Sequence, residues 1–290
     1  MEKIICPICH SDKIKLFGKK NNYKLYRCSD CILVFVYPKP ESLDKIYDKD
    51  YFKNEGNKRH GYADYDQDKE PMKDVFILYL KKLEKLVTGR NIFDIGAATG
   101  YFLDLAKKRN WQTMGVEISS YAAAKAIQKG HKVFTASQLD DLEIDISFDV
   151  VTMWDVLEHV PEPIAYLRQV NKIMKSGSVL AINTIDKNSW WAKAWGLHWQ
   201  MFLPPEHLYY YASKNLDILL KQTGFEILEV KKIGKKFSLA YIFKILYSWQ
   251  GLKIYQKLSD YFDKSFWRHI AMPINLRDNI FIIAKKNKDV

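Results

Sequence analysis

The sequence predicts an open α/β sheet with helices packed on it, and a small cysteine-stapled module ahead of that sheet. Three observations carry this expectation. All four cysteines, Cys6, Cys9, Cys28 and Cys31, fall within the first thirty-one residues. A short apolar strand at 91–95 runs through a glycine turn into a helix, and the strand after that helix ends in an acid, Glu117. With 48% apolar residues in a chain of 290, a full core can be buried and general disorder is excluded.

The module comes first in the chain. Its pattern is C-x2-C, eighteen residues, then C-x2-C. A two-residue spacer lets both thiolates of a turn face one ion, and two such knuckles complete the tetrahedron that zinc prefers. Four thiolates leave no open coordination position, so this zinc is expected to be structural. Strands at 24–27 and 32–36 flank the second knuckle as in a zinc ribbon. Two disulfides are the alternative, and a cytosolic setting argues against them. His10 follows Cys9 as a neighbour. Pro38-Lys-Pro40 then acts as a stiff joint.

After the joint, a helix is expected at 41–53 and a loop at 56–61. Val75, Phe76, Leu78, Tyr79, Leu83, Leu86 and Val87 recur at helical spacing and predict an amphipathic helix over 73–87, stopped by Gly89. The chain thus divides into a ribbon (1–40), a helical linker or lid (41–88) and an α/β domain (89–290). Tyr47, Tyr51 and Tyr65 are lid candidates by position alone.

The α/β domain opens with strand 91–95, the turn Gly96-Ala-Ala-Thr-Gly100, helix 101–109 and strand 112–116. This is the logic of a nucleoside site. Glycines let backbone approach a ligand closely, the helix amino terminus offers unpaired N–H groups, and Glu117 at the second strand's tip can take two ribose hydroxyls.

These residues resemble class I S-adenosylmethionine-dependent methyltransferases. Phe93-Asp-Ile-Gly-Ala-Ala-Thr-Gly100 is similar to their first motif, with Ala98 where a middle glycine is commonest. Val116-Glu-Ile-Ser119 is similar to their ribose-binding motif, and the segment from Phe148 to Pro161 to their fourth strand and following turn. Gly177 to Asn183 resembles the fifth strand, His207 to Phe225 the segment before the sixth, and Asn279 to Ala284 the seventh. The likeness spans about 90–232 and 277–286. It implies a Rossmann-like seven-stranded sheet with helices on both faces, an N-terminal four-cysteine zinc ribbon, and a helical basic-aromatic insert at 233–272.

The resemblance also implies roles, with S-adenosylmethionine bound and S-adenosylhomocysteine as product. Asp94 orders the loop. Gly96, Ala97 and Gly100 present backbone to the methionine part, with Ala98, Tyr101 and Phe102 beside them. Glu117 holds the ribose and Ile118 packs on the adenine. Ser137, Gln138 and Leu139 lie by the adenine edge, and Trp154 and Asp155 line the floor below the sulfonium.

Methyl transfer to a hydroxyl needs alignment and a proton acceptor, which suits histidine near neutral pH. His159 and His207 are the candidate bases, and positioning of loops is the plainer role for either. His198 is a weaker candidate. Trp191, Trp195 and Trp199 would share one helical face, as a seam against the core or a second subunit, or as a substrate wall.

Residues 1–40 carry eight Lys/Arg against three acids and 231–290 carry thirteen against four, while 41–230 carry 24 against 27. The net charge of +11 therefore sits on the two ends. That asymmetry points to a phosphate-bearing partner, although solvated lysines explain it equally well. A small anionic methyl acceptor, a hydroxyl of a sugar-type or nucleotide-linked metabolite, is the expected substrate. RNA gripped by the ribbon is the alternative, and a non-catalytic cofactor-binding scaffold a second one. The insert could lie on an anionic membrane, cap the site or pair subunits into a homodimer. No run reaches the roughly 18 apolar residues of a membrane span. The first ten residues lack a secretion-signal core, so a cytoplasmic protein, with contact at the inner membrane face as an option, is expected.

Overall fold

The computed structural model describes residues 3–40, 66, 69–266, 271–274 and 276–290. The expected helix at 41–53, the loop at 56–61 and Tyr47, Tyr51 and Tyr65 lie outside the described residues.

The ribbon is built from β1 (Ile14–Lys20), β2 (Tyr23–Cys28) and β3 (Val34–Val36). Asn21 and Asn22 both adopt left-handed backbone, with φ of 46° and 67°. That geometry closes a two-residue hairpin whose twist matches its strands, and asparagine tolerates it. Lys20 accordingly pairs with Tyr23 across the turn.

The α/β domain follows as α1 (Lys73–Leu83), β4 (Asn91–Ile95), α2 (Tyr101–Lys107), β5 (Gln112–Glu117), α3 (Ser120–Gln128), β6 (Lys132–Thr135) and β7 (Phe148–Trp154). Then come a 3-10 turn at Leu157–His159, α4 (Pro163–Lys172), β8 (Met174–Ile185), α5 (Trp190–Trp195), β9 (Tyr209–Tyr210), α6 (Ser213–Gln222) and β10 (Phe225–Lys232). The chain closes with β11 (Lys235–Ser238), α7 (Leu239–Gln250), α8 (Lys253–Lys264), β12 (Ala271–Ile274) and β13 (Asn279–Lys286).

Seven strands form one sheet in the order β10-β13-β8-β7-β4-β5-β6. β13 runs antiparallel to both its neighbours, and the ladders from β8 to β6 are parallel. Along β13 the side chains alternate between two cores. Ile280, Ile282 and Ala284 pack with α4 and α6, whereas Phe281 and Ile283 pack with α1. A strand covered on both faces reads as a continuous apolar run, as Ile280 to Ala284 does.

The ribbon is not a separate bead. β3 pairs antiparallel with β9 of the α/β domain, Val34 opposite Tyr210 and Phe35 opposite Tyr209. Leu25, Val34 and Val36 share a buried cluster with Ile185, Trp199, Phe202 and Tyr210.

Three local outcomes differ from expectation. α1 ends at Leu83 rather than at 87, because Lys85 and Leu86 bond three residues back in a tightened last turn. Glu84 there is clamped by Arg109 at 2.7 and 2.6 Å. Trp191, Trp195 and Trp199 do not share a helical face. α5 stops at Trp195, Gly196 takes a φ of 51°, and Trp199 turns into the core, where it is fully buried. The insert forms a helical pair, α7 and α8, whose Phe243 and Phe262 stack 5.3 Å apart, and it rises from the two-stranded β11–β12 hairpin. No helix among the described residues is long and apolar enough to cross a membrane.

Candidate functional site

The carboxyl ends of β4, β5, β7 and β8 meet along one edge of the sheet, the edge at which open α/β folds bind ligands. The loop after β4 alternates into left-handed backbone three times, with φ of 75° at Gly96, 47° at Ala98 and 83° at Gly100. A Cβ at Gly96 would lie 2.5 Å from Val156, and one at Gly100 would lie 2.8 Å from His131. Both glycines are thus required by conformation and by space. Ala98 keeps the left-handed turn although it carries a methyl group, which packs against Ala122. Ala97 is buried against α3.

Glu117 ends β5 and curls back under this loop. One carboxylate oxygen accepts the Ala98 N–H at 2.8 Å and the other the Ser119 N–H at 2.9 Å. Burial raises its proton affinity, and the N–H groups of Ser119, Ala98 and Ile118 oppose that rise. Asp94 is more deeply committed. Burial pushes its carboxyl up to about 8, with the Glu117 charge adding to the rise, while the Thr152 hydroxyl donating at 2.5 Å holds it down. The pair therefore prefers to carry less than its full negative charge when the protein is alone.

Other sequence-predicted residues divide by side. Ile118 is half-buried, and Ser137 and Gln138 are exposed near it. Leu139 is buried, and its N–H bonds to Gln169, whose amide also reaches Gln138. Tyr101 is half-buried, its ring 6.2 Å from Phe76, and it donates to Glu70 at 2.5 Å. Phe102 and Trp154 pack together with Phe76 of α1, their rings 5.4 and 4.7 Å from it. Asp155 follows β7 with a φ of 56°. It is held in that strained turn by Asn183, whose backbone carbonyl accepts the Asp155 N–H at 2.9 Å and whose side-chain amide donates to its carboxylate at 2.5 Å. Lys69 stands 3.7 Å from the same carboxylate.

Beside Asp155 the two candidate histidines come together, their ring centroids 4.7 Å apart and edge to face. His159 bonds through Nδ1 to the Glu206 carbonyl, and His207 through Nδ1 to the Met201 carbonyl, both at 2.8 Å. A carbonyl only accepts, so Nδ1 carries the proton in each ring and Nε2 is the basic nitrogen. Burial lowers the proton affinity of His159, against the pull of the Glu206 carbonyl and of Asp155. His198 is exposed and lies apart from this pair.

Glu158 also belongs here, and sequence reasoning missed it. It is 1% exposed, accepts the Thr184 hydroxyl at 2.7 Å, and lies within 4.8 Å of His159 and His207 by ligand-type atoms. Its place just before His159 was the available signal. Asn183 was also missed, because a polar residue ending a buried strand looks like any other strand end.

In the ribbon, the four cysteine sulfurs lie within 4.8 Å of one another, with Cys6 and Cys31 at 3.5 Å and Cys9 and Cys28 at 3.5 Å. None of the four is in a disulfide. Tetrahedral zinc with bonds of about 2.3 Å places sulfurs roughly 3.8 Å apart, so the donor set fits that ion in type and spacing.

Comparison with known proteins agrees with this arrangement. A family described as a methyltransferase domain matches residues 67–230, more than half of the chain. The ubiquinone biosynthesis O-methyltransferase of Pseudomonas aeruginosa is 26% identical over 139 residues, covering 44% of this chain and 60% of that protein. The enzyme of the same name from Nitrosospira multiformis is 24% identical over 194 residues, covering 62% and 80%. The chain thus spans about 60% of the length of the Pseudomonas relative. The crystal structure of a putative methyltransferase from Bacillus halodurans C-125 superposes with a TM-score of 0.51 at 15% identity, over 73% of this chain and 99% of that one, which establishes likeness of fold. The glycine turn, the acid beneath it and the single antiparallel strand β13 therefore belong to a known pattern, and the chain is a member of the class I S-adenosylmethionine-dependent methyltransferase family.

Proposed function

We propose that this protein methylates a hydroxyl of a small-molecule acceptor, of a sugar-type or nucleotide-linked kind, at the strand edge just described. The observation that carries the reading is the pairing of a cradle with a base. The cradle is Gly96 to Gly100 over Glu117, and the candidate base is the His159–His207 pair, whose rings lie 4.7 Å apart after the neighbouring strands. The names of the relatives, which specify oxygen methylation in ubiquinone biosynthesis, support an oxygen acceptor.

S-adenosylmethionine, when bound, supplies a methyl group already activated by a positive sulfur. The chain's own residues do the rest. Glu117 accepts ribose hydroxyls with the lone pairs that the Ala98 and Ser119 N–H groups leave available. Asp94 anchors the loop from below, and Asp155 with Ile118 bounds the ligand on two sides. His207 Nε2 takes the acceptor's hydroxyl proton, with the ring fixed by the Met201 carbonyl. His159 packs edge-on and orients that ring. The four cysteines hold a structural zinc that keeps β3 in register with β9 and so positions the loop carrying His207.

The test is release of S-adenosylhomocysteine when the protein is given S-adenosylmethionine and a panel of sugar, nucleotide-sugar and phenolic hydroxyl acceptors. Turnover is expected with at least one acceptor. His207→Asn, which keeps an amide near Met201, should lower kcat about 100-fold or more with S-adenosylmethionine affinity unchanged. No turnover across the panel, or full activity in His207→Asn, would count against the assignment.

A further inference from the structure

At the carboxyl end of β8 two adjacent charges are treated in opposite ways. The Asp186 carboxylate is satisfied: it pairs with Lys232 and accepts the Asn188 N–H at 2.9 Å. Lys187 is only 8% exposed. Its backbone N–H bonds to the Tyr211 carbonyl at 2.9 Å, which fixes the residue where the α/β domain meets the ribbon. Its ammonium lies 5.7 Å over the ring of Phe17 in β1. Among the described residues that ammonium has neither a hydrogen-bond partner nor an ion pair.

The neighbouring charges make its position less comfortable. Arg27 and Lys193 are near enough to oppose its charge, and Asp186, turned toward Lys232, offers a smaller pull in the other direction. Burial, with Arg27 and Lys193 behind it, lowers the Lys187 proton affinity to about 8. The stem of Lys187 is buried while its Nζ keeps a small contact with solvent, and one aromatic face is a weak substitute for the hydration that the ammonium gives up. Arg27 lies on the same face of β2 as Leu25, which is buried in the cluster shared with Ile185 of β8. Arg27 and Lys193 are exposed. One largely buried cation and two exposed ones that act on it, from three elements, lack an anion to complete them.

We infer that Lys187, Arg27 and Lys193 form a subsite for a phosphoryl group carried by the methyl acceptor, at the junction of ribbon and α/β domain. The inference rests on the small-molecule acceptor proposed above and narrows it to a phosphorylated or diphosphate-linked one. The subsite lies at the end of β8, on the same strand edge as Asp155 and Glu117. It gives the ribbon a second task besides packing, because Arg27 and Phe17 are ribbon residues. Arg27 and Lys187 together suit a group with several oxygens, the arginine by its fork and the lysine as a point charge.

The test is calorimetric titration of inorganic diphosphate into the full-length, zinc-loaded protein and its Lys187→Met and Lys187→Arg variants. Wild type should bind, Lys187→Arg should stay within several-fold, and Lys187→Met should weaken about ten-fold or more, the usual loss for a charged hydrogen bond. Thermal unfolding separates this from a packing role. Without anion, Lys187→Met should melt at or above the wild-type temperature, since an apolar chain replaces an unpaired buried charge. Diphosphate should raise the melting temperature of wild type and leave that of Lys187→Met unmoved. Equal affinity in wild type and Lys187→Met, no binding by wild type at millimolar diphosphate, or a lower melting temperature in Lys187→Met with binding unchanged would each overturn the subsite. S-adenosylmethionine titrated into the same samples should bind all three alike, and its failure would bear on the methyltransferase assignment instead.

Discussion

At the scale of single residues, Asp94 makes the sharpest statement. Its carboxyl titrates near 8 in the folded chain, against an ordinary 3.8, chiefly because it is buried. A group raised on folding stabilises the protein while it stays protonated. That contribution is complete below about pH 4 and is lost as pH climbs through about 8. The protein without ligand should therefore lose stability from pH 5 to pH 8, by at most about 4 kcal/mol over those three units. Asp94→Asn keeps an acceptor for Thr152 and removes the titration, so it should flatten most of that slope and be the more stable protein at pH 8. Urea unfolding at the two pH values measures this, and equal slopes in both proteins would refute it. Asp94 and Glu117 were legible in the sequence because a strand, a glycine turn and an acid at fixed spacing constrain one another locally. Lys187 was not legible: its burial depends on Phe17 and Tyr211, which only the folded chain brings to it.

At the scale of elements, the join between β3 and β9 ties the ribbon to the α/β domain. It links the ribbon to the loop that carries His207, with the Val36 N–H bonded to the Leu208 carbonyl at 2.9 Å. Leu25 is wholly buried in the cluster beneath it. Leu25→Ala should cost about 2–4 kcal/mol, the range for a cavity in a packed core. It should also speed the loss of zinc to a chelator, and metal release followed with a chromogenic dye would check this. A cost below about 1 kcal/mol would mean that this cluster carries little of the docking. β4 and β5 were readable from the short apolar runs around the glycine turn, and β7, β8 and β13 from likeness to the family's strands, although β8 runs longer than the expected 177–183, from Met174 to Ile185. β9 was not, because two residues carry no period and its partner lies in the ribbon. The tryptophan segment misled for a related reason. Spacing of i, i+4 and i+8 holds only while the helix lasts, and Gly196 ends it one turn early.

At the scale of the whole molecule, a seven-stranded sheet and the ribbon are joined through the β3–β9 pairing and the buried cluster around Leu25 and Ile185. The central claim is that Glu117 and the loop above it hold S-adenosylmethionine. Calorimetric titration of S-adenosylmethionine and S-adenosylhomocysteine into wild type and Glu117→Gln tests it most directly, with thermal unfolding of both run alongside to confirm the fold. Micromolar binding by wild type, weakened about ten-fold or more in a folded Glu117→Gln, is the predicted result. Absence of binding by the zinc-loaded wild type, or equal affinity in the two proteins, would contradict it.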